Sequence, residues 1–299
     1  RIKLLLLTMC IGVMNLSCTL EKSMEILSPD GKLKYSLQIN REGNLFYELL
    51  LDQKELINKS ELGLDLKSDE LFFSKLEILD LERKQVEESW NPVWGPNKKI
   101  ENNCNELNIK FTNAKGTKLQ FQVKVYNDGV GFRYKIPKQT GIDSILIVNE
   151  RTEFNFAQNG TAWSIPANFD SYEMLYNTTR IDEVQDANTP ITVKLDSGIH
   201  LSIHEANLTN YAGMTLKNTG GINFQANLVP WPDGIKVRLK DSLVSPWRTI
   251  TVSKNAAGLV ESNLIQNLNE PCKIDNIDWI EPMKYIGIWW GMHLGTQTW

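Results

Sequence analysis

The stretch from Leu201 to Met214 reads Leu-Ser-Ile-His-Glu-Ala-Asn-Leu-Thr-Asn-Tyr-Ala-Gly-Met and concentrates side chains that can do chemistry. Glu205, Asn207, Thr209 and Asn210 follow directly on an alternating segment. A carboxylate at a strand end is held by rigid backbone yet reachable from a cleft, which suits a hard cation or a sugar hydroxyl. The competing reading is a solvated loop acid, which spacing alone favours. His200 and His204 share one strand face, but no third nitrogen or sulfur ligand lies nearby, so they read as ordinary polar-face residues. Two other groups carry paired readings. Asn168, Asp170 and Glu173 either reach a cleft or bond their own backbone in a turn. Pro230-Trp231-Pro232-Asp233-Gly234 reads as a sugar platform or as a plain turn with a Trp lid.

The elements that must position these residues are strands. Ile199, Leu201 and Ile203 alternate with His200, Ser202 and His204, the period of a half-buried strand. Upstream, Leu33, Tyr35, Leu37 and Ile39 line one side of a strand, Arg41–Asn44 turns, and Leu45–Leu51 returns. Leu107, Ile109 and Phe111 mark another strand, followed by Leu119, Phe121, Val123 and Val125. Asn127-Asp128-Gly129 is a hairpin turn leading into Val130, Phe132 and Tyr134. Further strands centre on Ile145–Val148, Phe154–Phe156, Ile191–Leu195, Phe224–Leu228, Lys236–Leu239 and Thr249–Val252. The chain from Glu25 to about Val252 is therefore mainly β, and so many short strands predict a large sandwich. The charged, less regular segment Asp65–Trp90 reads as an excursion from the sheets.

At 299 residues, with 41% hydrophobic and 23% charged side chains, the chain is globular and long enough for one large core or two ordinary ones. A formal net charge of -4 leaves no basic footprint, which argues against nucleic acid as a partner. Nine Trp suit both core packing and stacking on sugar faces. Arg1 and Lys3 precede an apolar run from Leu4 to Met14 and then Asn15-Leu16-Ser17-Cys18, the pattern of an export signal over residues 1–18. Leu-Ser-Cys also resembles the end of a bacterial lipobox, in which Cys18 would carry lipid, although Asn15 stands where that motif has Leu. The expected location is the periplasm or the outer membrane surface. Export would put Cys104 and Cys272 in an oxidising compartment, where they either pair or remain separate thiols.

The pattern changes after Ser253. Ala256, Leu259, Val260, Leu264, Ile265 and Leu268 recur at helical spacing, so Asn255–Asn269 is expected as a helix that stops before Pro271. Residues 254–282 read as helix and linker. Met283–Trp290 is an apolar run without alternation, as in a parallel strand buried on both faces, and ends in the loop Gly291–Thr296. One such strand needs neighbours, so residues 283–299 are expected to begin a second domain that continues past Trp299.

Together these segments resemble the N-terminal portion of glycoside hydrolase family 97. The resemblance rests on Trp94-Gly95, Ala162–Pro166, Phe169–Glu173, His204–Leu208, Tyr211–Met214, Ser245–Arg248 and Lys284–Trp290, in the family order from about Glu25 onward. It implies a β-super-sandwich of the galactose-mutarotase-like kind over residues 25–253, then a catalytic (β/α)8 barrel, and an exported exo-acting α-glucosidase or α-galactosidase. It also implies an active-site calcium ion that takes one carboxylate from the N-terminal domain, and Glu205 is the matching residue. Trp290 and His293 are candidate substrate contacts, with barrel core as the alternative for Trp290. Glycoside hydrolysis needs two carboxyl groups flanking the scissile bond, and the loop Gly291–Thr296 has none. No catalytic residue is therefore assigned in this chain. The rival reading is a non-catalytic carbohydrate-binding module of the cell envelope.

Overall fold

The computed structural model describes residues 22–68 and 72–285. In chain order the first strands are β1 (Lys22–Leu27), β2 (Leu33–Ile39), β3 (Leu45–Leu51), β4 (Lys54–Leu62), β5 (Leu64–Leu66), β6 (Glu77–Trp90) and β7 (Ile100–Thr112). Then come β8 (Lys118–Tyr126), β9 (Gly129–Ile136), β10 (Ile145–Glu150), β11 (Glu153–Asn155), β12 (Gly160–Ser164), β13 (Asn177–Arg180) and β14 (Ala187–Asn188). The last are β15 (Ile191–Leu195), β16 (His200–Ala206), β17 (Met214–Gly220), β18 (Asn223–Leu228), β19 (Val237–Leu239), β20 (Leu243–Val244) and β21 (Trp247–Ser253).

A ten-stranded antiparallel sheet runs β13-β12-β15-β16-β21-β9-β8-β7-β6, with β20 also on β9. Three smaller sheets, β1-β2-β3-β4, β19-β10-β5 and β11-β18-β17-β14, complete the sandwich. Alternation along β8 and β9 turns Phe121, Phe132 and Tyr134 inward, where they meet Tyr35, Tyr47, Phe73 and Phe154 of the other layers. Tyr35 and Tyr47 stack at 5.2 Å between ring centroids, and Phe121 meets Tyr134 nearly edge-on at 5.3 Å. Aromatic pairs in such geometries add to the stabilisation from burial itself. The mainly β sandwich predicted from the alternation is the fold observed.

Two expectations are corrected. Glu77–Trp90 is no excursion. It is a fourteen-residue edge strand paired with β7 along its length. With one neighbour and little packed on either face, an edge strand can carry charge at most positions, which hides its alternation. The single helix over Asn255–Asn269 is two short ones, α1 (Ala256–Glu261) and α2 (Leu264–Asn267). Ser262 between them is extended; its hydroxyl donates to Asp128 at 2.6 Å and accepts from the Leu264 amide at 3.2 Å. That local bonding competes with helical continuation. Leu264 and Leu268 then pack with Trp247, Tyr126 and Cys104 on the outer face of the large sheet. Gly131 on β9 makes room, because a Cβ there would lie 2.5 Å from Leu268 Cδ1. The barrel strand expected over residues 283–299 falls, from residue 286 onward, outside the described residues.

Candidate functional site

Ladder register builds the site. On β16, Leu201, Ile203 and Glu205 share the inward face, so the acid is the next residue along a row of core positions. Strand β21 pairs with β16 so that Arg248 stands directly opposite Glu205. Arg248 Nη1 donates to Glu205 Oε2 at 2.6 Å. From β10 of the three-stranded sheet, Glu150 reaches the same guanidinium, accepting from Arg248 Nε and Nη2 at 2.7 Å each. The bidentate fork fixes both planar groups in one plane, as point charges would not.

Around this pair every inner contact is satisfied. Tyr211 donates its hydroxyl to Glu150 Oε2 at 2.9 Å, and Thr152 donates to Oε1 at 2.9 Å. Tyr134 and Thr152 share a 2.7 Å bond, and the Gly63 amide donates to the Tyr134 oxygen. The Tyr211 ring lies 5.6 Å from the Arg248 guanidinium carbon. Arg248 and Glu150 have no side-chain exposure, whereas Glu205 retains 8%. Glu205 Oε1 accepts from the Met214 amide at 3.1 Å. The cluster thus runs from a sealed interior at Glu150 to a rim at Glu205.

Electrostatics follow from that arrangement. Burial alone would lower the Arg248 pKa, but Glu150 and then Glu205 more than offset it, so the guanidinium is held above its ordinary value. Tyr211 is pushed well up by burial and by the Glu150 charge, which keeps it a hydrogen-bond donor. Tyr172, more than half exposed, is raised by partial desolvation and by the nearby Glu205 charge. Across the ladder, His204 lies opposite Thr249, and its Nδ1 and the Thr249 hydroxyl are buried without a hydrogen-bond partner among the described residues. Burial holds the His204 pKa below its ordinary value; Glu205 opposes this and Arg248 adds to it.

Two carboxylates face one guanidinium, which leaves an excess negative charge at the Glu205 end. Calcium takes six to eight oxygen ligands. Among the described residues no three His, Cys, Asp or Glu are gathered for a metal, so a complete site is not built from them. A single-ligand contribution fits. Each Glu205 oxygen accepts one bond here, although a carboxylate offers about four lone-pair sites. Space lies beside Gly213, where a Cβ would come no closer than 3.9 Å to Glu205 Oε1.

The other candidates separate. Asn168, Asp170 and Glu173 form local turns: the Asp170 amide donates to Asn168 Oδ1 at 2.8 Å and the Glu173 amide to Ser171 Oγ at 3.0 Å. Cys104 is a buried free thiol and Cys272 an exposed one. Trp290, His293 and Cys18 lie outside the described residues. The partners Arg248 and Glu150 were absent from the sequence-based site, although the inward parity of Ile250 and Val252 extends to Arg248.

Comparison with known proteins bears on this arrangement. The family model described as Glycosyl-hydrolase 97 N-terminal matches residues 26–271. A retaining α-galactosidase of Bacteroides thetaiotaomicron is 24% identical over 322 residues, covering 96% of this chain and 47% of that protein. A probable retaining α-galactosidase of Streptomyces bingchenggensis is 23% identical, covering 85% of this chain and 37% of that protein. A glycoside hydrolase family 97 enzyme from Pseudoalteromonas sp. strain K8, solved in complex with panose, is 38% identical with a TM-score of 0.85. That match covers 92% of this chain and 42% of the enzyme. The chain spans less than half the length of each of these relatives.

Proposed function

Because the chain belongs to glycoside hydrolase family 97 through its N-terminal domain, we propose that it is the N-terminal part of an exported, calcium-dependent, exo-acting α-glycosidase. The reading assigns residues 25–253 to the sandwich, 254–282 to helix and linker, and 283–299 to the start of a (β/α)8 barrel that carries the catalytic carboxylates. Its substrate is an oligosaccharide with a terminal α-linked glucose or galactose. The 38% identical relative that binds panose and the 24% identical α-galactosidase support one choice each. The observation that supports a role for this domain in the site is Glu205. It is the one member of the buried ionic cluster with access to solvent, and it carries the excess charge.

In this reading Glu205 supplies one carboxylate ligand to a calcium ion shared with the rest of the protein. When bound, the ion adds positive charge beside the reacting sugar. This chain's residues fix the ligand. Arg248 and the Met214 amide hold the two Glu205 oxygens, Glu150 fixes Arg248, and Tyr211 and Thr152 fix Glu150. A ligand oriented in this way needs no reorganisation when the ion arrives. Export over residues 1–18, with or without lipid at Cys18, places the enzyme in the periplasm or at the outer membrane.

The test uses the protein expressed with whatever coding sequence follows Trp299. Glu205→Gln keeps the shape and removes the charge. Calcium affinity by calorimetry should fall, hydrolysis of p-nitrophenyl α-glucoside or α-galactoside should fall with it, and high calcium should partly restore activity. Equal calcium affinity in wild type and variant would return Glu205 to a purely structural role. Absence of hydrolysis of either glycoside by the wild type would favour the non-catalytic binding module.

A further inference from the structure

The cleft beside Trp231 borders the ionic cluster through Tyr211 and Gly213 and opens away from it onto groups suited to a sugar. Trp231 is 58% exposed, unusual for so large an apolar ring. Its backbone is nevertheless fixed: the Trp231 amide donates to the Ile235 carbonyl at 2.8 Å, and the Gly234 amide returns to the Trp231 carbonyl at 2.9 Å. Gly234 takes φ +82° to close that turn, and prolines at 230 and 232 stiffen its flanks. The ring is therefore presented without the ordering cost that a floppy loop would impose on binding. Beside it opens a cleft of about 650 Å³, also lined by Asn210, Tyr211, Lys236 and Arg238. That volume is in the range of small-molecule sites.

The polar groups at the cleft are of the right kind. Arg238 on β19 lines the cleft and is ion-paired to Asp233 on the Trp231 turn, each about half exposed. Planar, charged groups of this sort can bond two adjacent hydroxyls at once, while keeping donors and acceptors free on their outer edges. Lys236 is tethered to the Leu228 carbonyl at 2.7 Å and closes one side. An aromatic face with a flanking carboxylate, guanidinium and amide meets both surfaces of a pyranose, its apolar C–H face and its equatorial hydroxyls. A protein partner would call for a broader apolar patch than this single ring.

We propose that the Trp231 cleft binds a pyranose unit of an α-linked oligosaccharide, stacked on the indole, with its hydroxyls met by Asp233, Arg238 and Asn210. The assignment rests on the protein being carbohydrate-active, so the test separates the two. Panose and raffinose binding is measured by calorimetry for wild type, Trp231→Ala, Trp231→Phe and Arg238→Met, with thermal melting as a check on folding and p-nitrophenyl α-glycoside hydrolysis in parallel. Trp231→Ala should weaken binding of at least one sugar about tenfold, the scale of loss when an aromatic anchor is truncated. Trp231→Phe should keep most of the affinity, Arg238→Met should lose several-fold, and melting should stay near wild type. Wild-type affinity in Trp231→Ala overturns the cleft assignment, and hydrolysis that persists in that variant leaves the enzyme reading standing. No binding of either sugar by the wild type at millimolar concentration overturns it as well. Trp231-dependent binding without any hydrolysis supports the cleft and removes the enzyme reading.

Discussion

Replacing Arg248 by Met removes the one cation that two carboxylates share, and the cost can be worked from the geometry. Glu150 loses both of its 2.7 Å guanidinium bonds and is left fully buried with donors only from Tyr211 and Thr152. Breaking a buried pair in this way costs about 3–5 kcal/mol. Tyr211 and Thr152 fill two of the roughly four lone-pair sites of that carboxylate, so the others stay unpaired in a sealed interior. Glu205 also loses its 2.6 Å bond but keeps the Met214 amide and its access to solvent, so the loss falls mainly on Glu150.

Urea melts at pH 7 read this directly, since a shift in midpoint at constant slope is a stability change. At pH 7 the thermal midpoint should drop by about 10 °C for a domain of this size. Glu150→Gln combined with Arg248→Met should recover part of the loss, because no buried charge remains at residue 150. A double variant no more stable than Arg248→Met would refute the account of Arg248 as the counter-charge to a sealed acid.

Other expectations follow from individual contacts. Iodoacetamide should label Cys272 in the native protein and leave Cys104 unmodified until denaturant is added, because Cys104 is enclosed and burial raises its thiol pKa; peptide mass spectrometry distinguishes the two. Gly129→Ala should destabilise by about 1–3 kcal/mol in urea melts, since residue 129 has φ +154° and a Cβ there would sit 2.5 Å from the Ile250 carbonyl oxygen. Cys18→Ser, in a fusion to an export reporter behind an added Met, should release the reporter from the membrane fraction if Cys18 carries lipid; unchanged fractionation points to plain cleavage.

The inward face of the sandwich was readable wherever alternation was clean. Tyr35, Phe121, Phe132 and Ile203 all occupy the core positions that a period of two assigns them. The same parity, carried one step beyond Ile203, places Glu205 inside, so its burial was legible even though a polar strand end suggests solvent. Glu150 was not. Ile145 and Ile147 face inward, which by simple alternation would expose residue 150. A register shift between Ile147 and Asn149 inserts an extra step and turns Glu150 into the core. No local signal in the sequence marks that bulge. The long strand β6 was hidden for the opposite reason: at the sheet edge almost nothing requires its side chains to alternate.

That bulge matters for what Glu205 is for. A guanidinium buried on a sheet needs one bidentate carboxylate, and Glu150 with its fork provides it. Tyr211 and Thr152 then use further Glu150 lone pairs, so the inner pair is already satisfied without Glu205. If the cluster served stability alone, a neutral residue at 205 would remove a second charge from a site with one cation. An apolar replacement would also continue the row of Leu201 and Ile203. The acid instead stands at the rim with its carboxylate held by Arg248 on one oxygen and a backbone amide on the other. This geometry spends part of the Arg248 charge on orienting a group whose own charge stays in excess, which suits a further cation from outside the described residues. The discriminating measurement is the stability of Glu205→Gln without calcium. The charge argument expects a loss within about 1 kcal/mol of wild type, since Glu150 still neutralises Arg248. A loss as large as that of Arg248→Met would show that Glu205 is a structural counter-ion, and the calcium reading would then lack its physical basis.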